Sequence, residues 1–185
     1  MTLLRNAVVT LVVAIALAFG LGFLLPDNVH VERSIAIAAP ADTVFAEIAD
    51  LNAWDAWSPW AQIDPNAEMT VSGSGVGQKM VWSSEDARVG HGSQEIIALS
   101  SPTDLKTHLI FEEQGAADAT FKLTEADNAT QVTWMLDTDM REGVPVAMQP
   151  FVTYMGFLMD ATVGKDYETG LQNLKSTIEE KAIAS

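Results

Sequence analysis

The stretch Phe151–Ala182, FVTYMGFLMDATVGKDYETGLQNLKSTIEEKA, decides the fold. Val152, Met155, Met159, Val163, Tyr167, Leu171, Leu174 and Ile178 recur in it at steps of three or four, the spacing that puts side chains on one side of a helix. Lys165, Glu168, Gln172, Lys175 and Glu179 fall on the other side and keep it wet. Such a helix lies across an apolar partner. Gly156 and Gly170 point into the middle of the apolar stripe, where each costs about 1 kcal/mol against alanine and fills nothing. Either the helix backbone closes there on a bulky tryptophan of a sheet, or the missing side chains leave a cavity between helix and sheet. Asp160 leans toward the same face, as a buried acid touching a guest or as a group exposed by a bend at Gly164.

The partner is an antiparallel sheet. Val29, Val31, Ile35 and Ile37 alternate with His30, Glu32 and Ser34, a strand pattern. Pro40 ends that strand and opens a short helix with Val44, Phe45 and Ile48 on its inner face. Trp54, Trp57 and Trp60 follow at a spacing of three, as on a short tight helical piece, either plugging one end of the core or rimming a cavity mouth. Strands are predicted at 69–72, 78–84, 93–99, 105–112, 119–124 and 130–137, separated by turn residues such as Gly73 to Gly77 and Asp127-Asn128. Gly73 to Gly77 resembles a phosphate-binding loop only in its alternate glycines, because no lysine follows at P-loop spacing and no helix opens there. A meander with no helical period between strands has one dry face to cover, and only the final helix is long enough to cover it.

Ahead of the domain, Ala7 to Leu25 holds one polar side chain, Thr10, in 19 residues, close to the length that crosses a bilayer. The span is read as a retained anchor; a cleaved signal peptide, cut after Ala16-Leu17-Ala18, is the alternative. This divides the chain into an anchor, residues 1–28, with a transmembrane helix at about 7–25, and a single domain, residues 29–185. Arg5 precedes the span, which places the domain on the non-cytoplasmic (periplasmic) side.

Net charge and cysteine count narrow the function. The 185 residues carry a formal charge of −15 with few, scattered lysines and arginines, a surface that repels nucleic acid and anionic head groups. With no cysteine, thiolate nucleophiles and cysteine-based metal centres are excluded. His30, His91 and His108 are too dispersed to suggest a metal site, and no cofactor is expected.

Val31-Glu32-Arg33-Ser34-Ile35 running into Ala39-Pro40, Val44-Phe45, Asn52-Ala53-Trp54, Trp57-Ser58-Pro59-Trp60, Trp82-Ser83-Ser84, Val132-Thr133-Trp134 and Gly170 to Lys175 occur in an order and spacing that resembles the SRPBCC, or START-like, superfamily in its polyketide cyclase/dehydrase-like branch. The resemblance spans about 29–181 and implies an α+β helix-grip fold, a curved antiparallel sheet of about six or seven strands wrapped on the C-terminal helix around a pocket for an apolar ligand. It implies no particular reaction.

The expected function is therefore a membrane-anchored domain binding a hydrophobic or aromatic small molecule or lipid. The candidate ligand-binding residues are Met80, Trp82, Phe121, Trp134, Phe151, Met155 and Met159, with Trp54, Trp57 and Trp60 near the mouth. A cyclase- or dehydratase-type enzyme is the first alternative, with Asp160 and His91 as candidate proton-transfer groups and His108, Tyr154 and Asp166 behind them; the sequence assembles no nucleophile, base and orienter from these. A protein-interaction module of the envelope is the second alternative.

Overall fold

The computed structural model describes residues 1–112 and 115–183. Its elements run α1 (Thr2–Gly22), β1 (Asn28–Ile37), α2 (Ala41–Ile48), a 3-10 turn (Leu51–Ala56), α3 (Pro59–Ile63), six strands β2 (Glu68–Ser72), β3 (Lys79–Ser83), β4 (His91–Ser100), β5 (Asp104–Phe111), β6 (Gly115–Ala126) and β7 (Ala129–Asp139), and finally α4 (Gln149–Ile183). All seven strands form one antiparallel sheet in the order β1-β7-β6-β5-β4-β3-β2. The chain meanders from β2 to β7, and β1 closes onto β7 with Asn28 opposite Asp139 and Ile37 opposite Thr130. α4 lies across the concave face, the helix-grip arrangement.

Register fixes the two ends of this sheet. Asn28 pairs with Asp139, Phe111 with both Gly115 and Gly92, and His91 with Ser83. These residues share the end nearest α1, called proximal below. At the opposite, distal end α4 is tied down by its last turns: Lys181 Nζ sits 2.7 Å from Glu47 Oε1, and the Ala38 amide donates to Glu179 Oε1 at 3.1 Å.

The core fills the distal half. Tyr167, Leu171, Leu174 and Ile178 of α4 are fully buried against Val31, Ile37, Val132, Trp134, Phe121 and Leu123 of the sheet, with Ile48 and Leu51 closing the end. Trp134 carries the contact between layers, stacked at 3.7 Å on Tyr167 and at 4.8 Å on Phe121. Stacked and edge-on rings add about 0.5–1.5 kcal/mol per pair to what burial alone provides. The Asn173 side chain donates to the Trp57 carbonyl at 3.2 Å, joining α4 to the end of the 3-10 turn.

One sequence expectation changes, and one alternative left open is decided. The apolar helix begins at Thr2 rather than near Ala7 and ends at Gly22, with Phe23 still in the helical region as its C-cap, and Pro26 disfavours the helical region at Leu25. The glycines of α4 mark close approach rather than open space. A Cβ at Gly170 would lie 2.9 Å from Trp134 Cζ3 and 3.0 Å from Pro59 Cδ, and one at Gly156 would lie 2.9 Å from Val29 Cγ2. Helix and sheet come together at those positions because no side chain holds them apart.

Candidate functional site

Packing loosens toward the proximal end, and the reason is readable along β6. Its inward side chains are Ala117, Ala119, Phe121 and Leu123 from the proximal to the distal end, so the dry face passes from methyl groups to rings. The neighbouring strands hold β6 in place through ladders to β5 and β7, and the sheet cannot close over the missing volume. A cavity of about 810 Å³ remains between α4 and the sheet.

Its floor is aromatic. Trp54, Trp134 and Tyr167 line it, with Trp60 from α3 and Trp82 and Met80 from β3 on the side. Trp54 is held by its indole N–H, which donates to the Ile48 carbonyl at 3.0 Å, and Trp82 by donation to the Val89 carbonyl at 3.2 Å. Met159 and Val163 form the α4 wall. The mouth is drawn from the proximal end: Val89 between β3 and β4, Glu112, Gly115, Thr138 and the segment 142–145. The volume suits a drug-sized or lipid-like guest, since ligand pockets span roughly 300–1,000 Å³.

Six of the ten residues expected to line such a cavity do so: Trp54, Trp60, Met80, Trp82, Trp134 and Met159. Four lie elsewhere. Trp57 and Phe121 are wholly buried in the core beneath the floor, and Phe151 and Met155 are 60% and 44% exposed on the outer side of α4. The tryptophans of the 51–60 segment thus build the floor and flank rather than the rim. Among the lining residues that sequence reasoning missed are Ala117 and Ala119, whose signal was the run of small residues in Gly115-Ala116-Ala117-Asp118-Ala119.

Asp160 is an outward group. Arg33 donates to Asp160 Oδ1 at 2.9 Å and to Glu168 Oε1 at 2.7 Å, its guanidinium packed over Gly164. The hydrogen bond from Arg33 holds the Asp160 carboxyl below the usual carboxylate range. His91 pairs with Ser83 at 3.0 Å and His108 with Asp118 at 2.8 Å, and neither histidine lines the cavity. Of the five groups considered for proton transfer, only Asp166 does. Burial pushes the Asp166 carboxyl up, against the opposing charge of Lys165, and it makes no side-chain hydrogen bond to a described residue. Next to it Tyr167, also a lining residue, has its hydroxyl raised by burial and is therefore neutral. Among the described residues no cluster of three acids or imidazoles could hold a metal ion.

The interior is thus mainly apolar and aromatic, with the neutral Tyr167 hydroxyl and the Asp166 carboxyl on the α4 side and Gln94, Glu112, Asp139 and Glu142 among the other polar lining residues. Such a surface can enclose an oily body and hydrogen-bond one neutral polar end. It contains no assembled nucleophile.

Residues 28–179 match the family described as "polyketide cyclase / dehydrase and lipid transport". No curated protein matches the chain. Among solved structures, the di-domain ARO/CYC protein StfQ from the steffimycin biosynthetic pathway superposes with a TM-score of 0.61 at 12% identity, covering 84% of this chain and 52% of its own. A protein from Thermobifida fusca gives 0.59 at 16% identity over 82% of this chain and 93% of its own. Ara h 8.0201 gives 0.57 at 13% identity over 83% and 99%. At these identities the likeness is one of fold.

Proposed function

We propose, from the premise that the chain belongs to the polyketide cyclase/dehydrase and lipid transport family, that it is a membrane-tethered receptor for a neutral, largely apolar small molecule or lipid. The observation that carries the reading is the cavity of about 810 Å³ walled by Trp54, Trp60, Trp82, Trp134, Met80 and Met159. Aromatic walls and methionines accept apolar guests of varied outline. Asp166 and Tyr167 supply the polar contacts that orient a hydroxyl or carbonyl on the guest. α1 supplies the tether, being 21 residues long and apolar throughout apart from its first turns and Thr10.

The four cavity tryptophans make the test direct. Full-length protein held in amphipol is titrated with a neutral dansyl-tagged alkyl amide while energy transfer from tryptophan to dansyl is followed. Saturable transfer at one probe per chain is expected. Transfer that rises linearly with probe, as in amphipol alone, would remove the proposal.

Of the groups considered for proton transfer, an enzymatic reading draws on Asp166 alone. Lacking a partner that orients it, Asp166 is assigned here to guest binding.

A further inference from the structure

Between Glu142 and Asp160 the chain runs 17 residues, Gly143 to Met159, without a charged side chain, in a sequence that is 19% charged. Val144, Pro145, Val152 and Met159 of this run line the cavity. Much of the remainder faces outward. Val146 is 67% exposed, Phe157 61%, Phe151 60% and Leu158 55%, with Met148 and Met155 about half exposed. Phe151, Met155 and Leu158 follow one another at steps of four and three, so they form a stripe along α4. Single exposed apolar side chains are ordinary, whereas a continuous ridge of this kind marks an interaction surface.

α1 lies beside the ridge and is locked to it. A Cβ at Gly22 would lie 2.6 Å from Pro150 Cβ, the Tyr154 hydroxyl donates to the Ala18 carbonyl at 2.7 Å, and Arg141 Nη2 donates to the carbonyls of Gly22 and Leu25 at 2.9 Å each. Arg141 Nη1 also meets Asp27 at 3.3 Å. A guanidinium at that position satisfies the unpaired carbonyls and the negative end of the helix dipole. Ala18 is one turn before the end of α1, about 6 Å along its axis. The Tyr154 bond therefore sets the outer side of α4's first turns level with the last turn of α1, at the depth of about 5–10 Å that interfacial helices reach.

We infer that this ridge is seated in the leaflet where α1 ends, so that the mouth of the cavity abuts the bilayer and the guest passes between membrane and cavity without crossing water. The occupant of the ridge is a neutral or zwitterionic lipid leaflet: the run carries no lysine or arginine, and a chain of charge −15 is repelled by anionic head groups. The inference rests on the reading of α1 as a membrane span and of the cavity as a guest site.

The chain's lack of cysteine makes the experiment clean. Full-length Phe157→Cys and, at the distal end of α4, Glu180→Cys are each labelled with a nitrobenzoxadiazole dye and placed in phosphatidylcholine nanodiscs. Nitroxide-bearing phosphatidylcholine is expected to quench the dye at 157 at least threefold more than at 180. Equal quenching, or loss of quenching at 157 on chemical cross-linking into dimers, would overturn the seating and point to water or a second copy as the occupant. The doubly charged variant F157D/L158D then separates route from binding. Energy transfer to the dansyl probe in amphipol should match wild type, while uptake from phosphatidylcholine vesicles slows about tenfold. An unchanged uptake rate would overturn the route. Absence of probe binding by wild type in amphipol would instead remove the cavity reading, leaving the quenching result to stand or fall separately.

Discussion

Ala117→Phe should close the cavity without harming the fold. Ala117 is 6% exposed, projects from β6 into the cavity, and pairs with Leu109 of β5, which also lines it. Phenylalanine there adds a six-carbon ring to a space of about 810 Å³, so the ring meets void rather than packed side chains. Overpacking costs of about 1–3 kcal/mol arise where no room exists; here burial of the ring should leave the melting temperature unchanged or raise it.

The guest bears the loss. If about two-thirds of the ring's volume is denied to it, roughly four methylene equivalents leave the apolar lining, at about 0.8 kcal/mol each. That is about 3 kcal/mol, or a weakening of about a hundredfold in Kd. The amphipol titration with the dansyl-tagged amide reads it directly, with thermal unfolding as the check on folding. Met155→Phe is the control, because Met155 is 44% exposed outside the cavity, and its affinity should stay within about twofold of wild type. An Ala117→Phe protein that melts like wild type and still binds the probe within threefold of wild-type affinity would refute the placement of the guest between β6 and α4.

Two further outcomes follow from the same geometry. Affinity for the neutral probe should fall as pH rises through the elevated ionisation range of Asp166, because below it the carboxyl is uncharged and above it a charge sits in the apolar lining. Folding stability follows the same sign: a raised folded value means that stabilisation present at acid pH is lost on ionisation. Asp166→Asn should therefore flatten the pH profile of binding and raise the melting temperature at neutral pH but not near pH 3; an unchanged profile would remove Asp166 from the site. Gly170→Ala should lower the melting temperature by up to about 8 °C: an overpacking cost of about 1–3 kcal/mol against Trp134 and Pro59, less about 1 kcal/mol of regained helix propensity, leaves up to about 2 kcal/mol at about 2–4 °C each. Gly20→Ala, with nothing within 4 Å of the added methyl, should not lower it, and equal melting of the two variants would mean that the Gly170 contact is slack.

The sequence revealed more of the fold than of the site, for a physical reason. Most strands have one dry face and announce themselves by alternation, while β2, with no buried residue, is marked by the turns that bound it, which is why seven strands and a covering helix were legible. Along α4 the periodicity chose the buried face correctly where only one face is apolar: Tyr167, Leu171, Leu174 and Ile178 are all buried. In the first half the apolar surface is broader, Phe151, Met155 and Leu158 forming a stripe directly beside that of Val152 and Met159. A 3.6-residue period cannot choose between them. The choice is made by Val29 and Arg33, more than a hundred residues away, which settle over Gly156 and Gly164.

The cavity shows how one compositional signal has opposite consequences on the two layers. A small residue on α4 invites closure, since the helix can advance on the sheet until Val29, Trp134 or Pro59 stops it, and Gly156 and Gly170 are both occupied in this way. The same smallness at Ala117 and Ala119 cannot be closed, because β6 is fixed on both sides by its ladders to β5 and β7 at a spacing of about 4.8 Å. Moving it inward would break hydrogen bonds along two strands at once, each costing about 1 kcal/mol. Void volume therefore survives where the missing side chains belong to the interior of a sheet and vanishes where they belong to a helix lying on it, and the alanines of β6, rather than the glycines of α4, are the origin of the cavity.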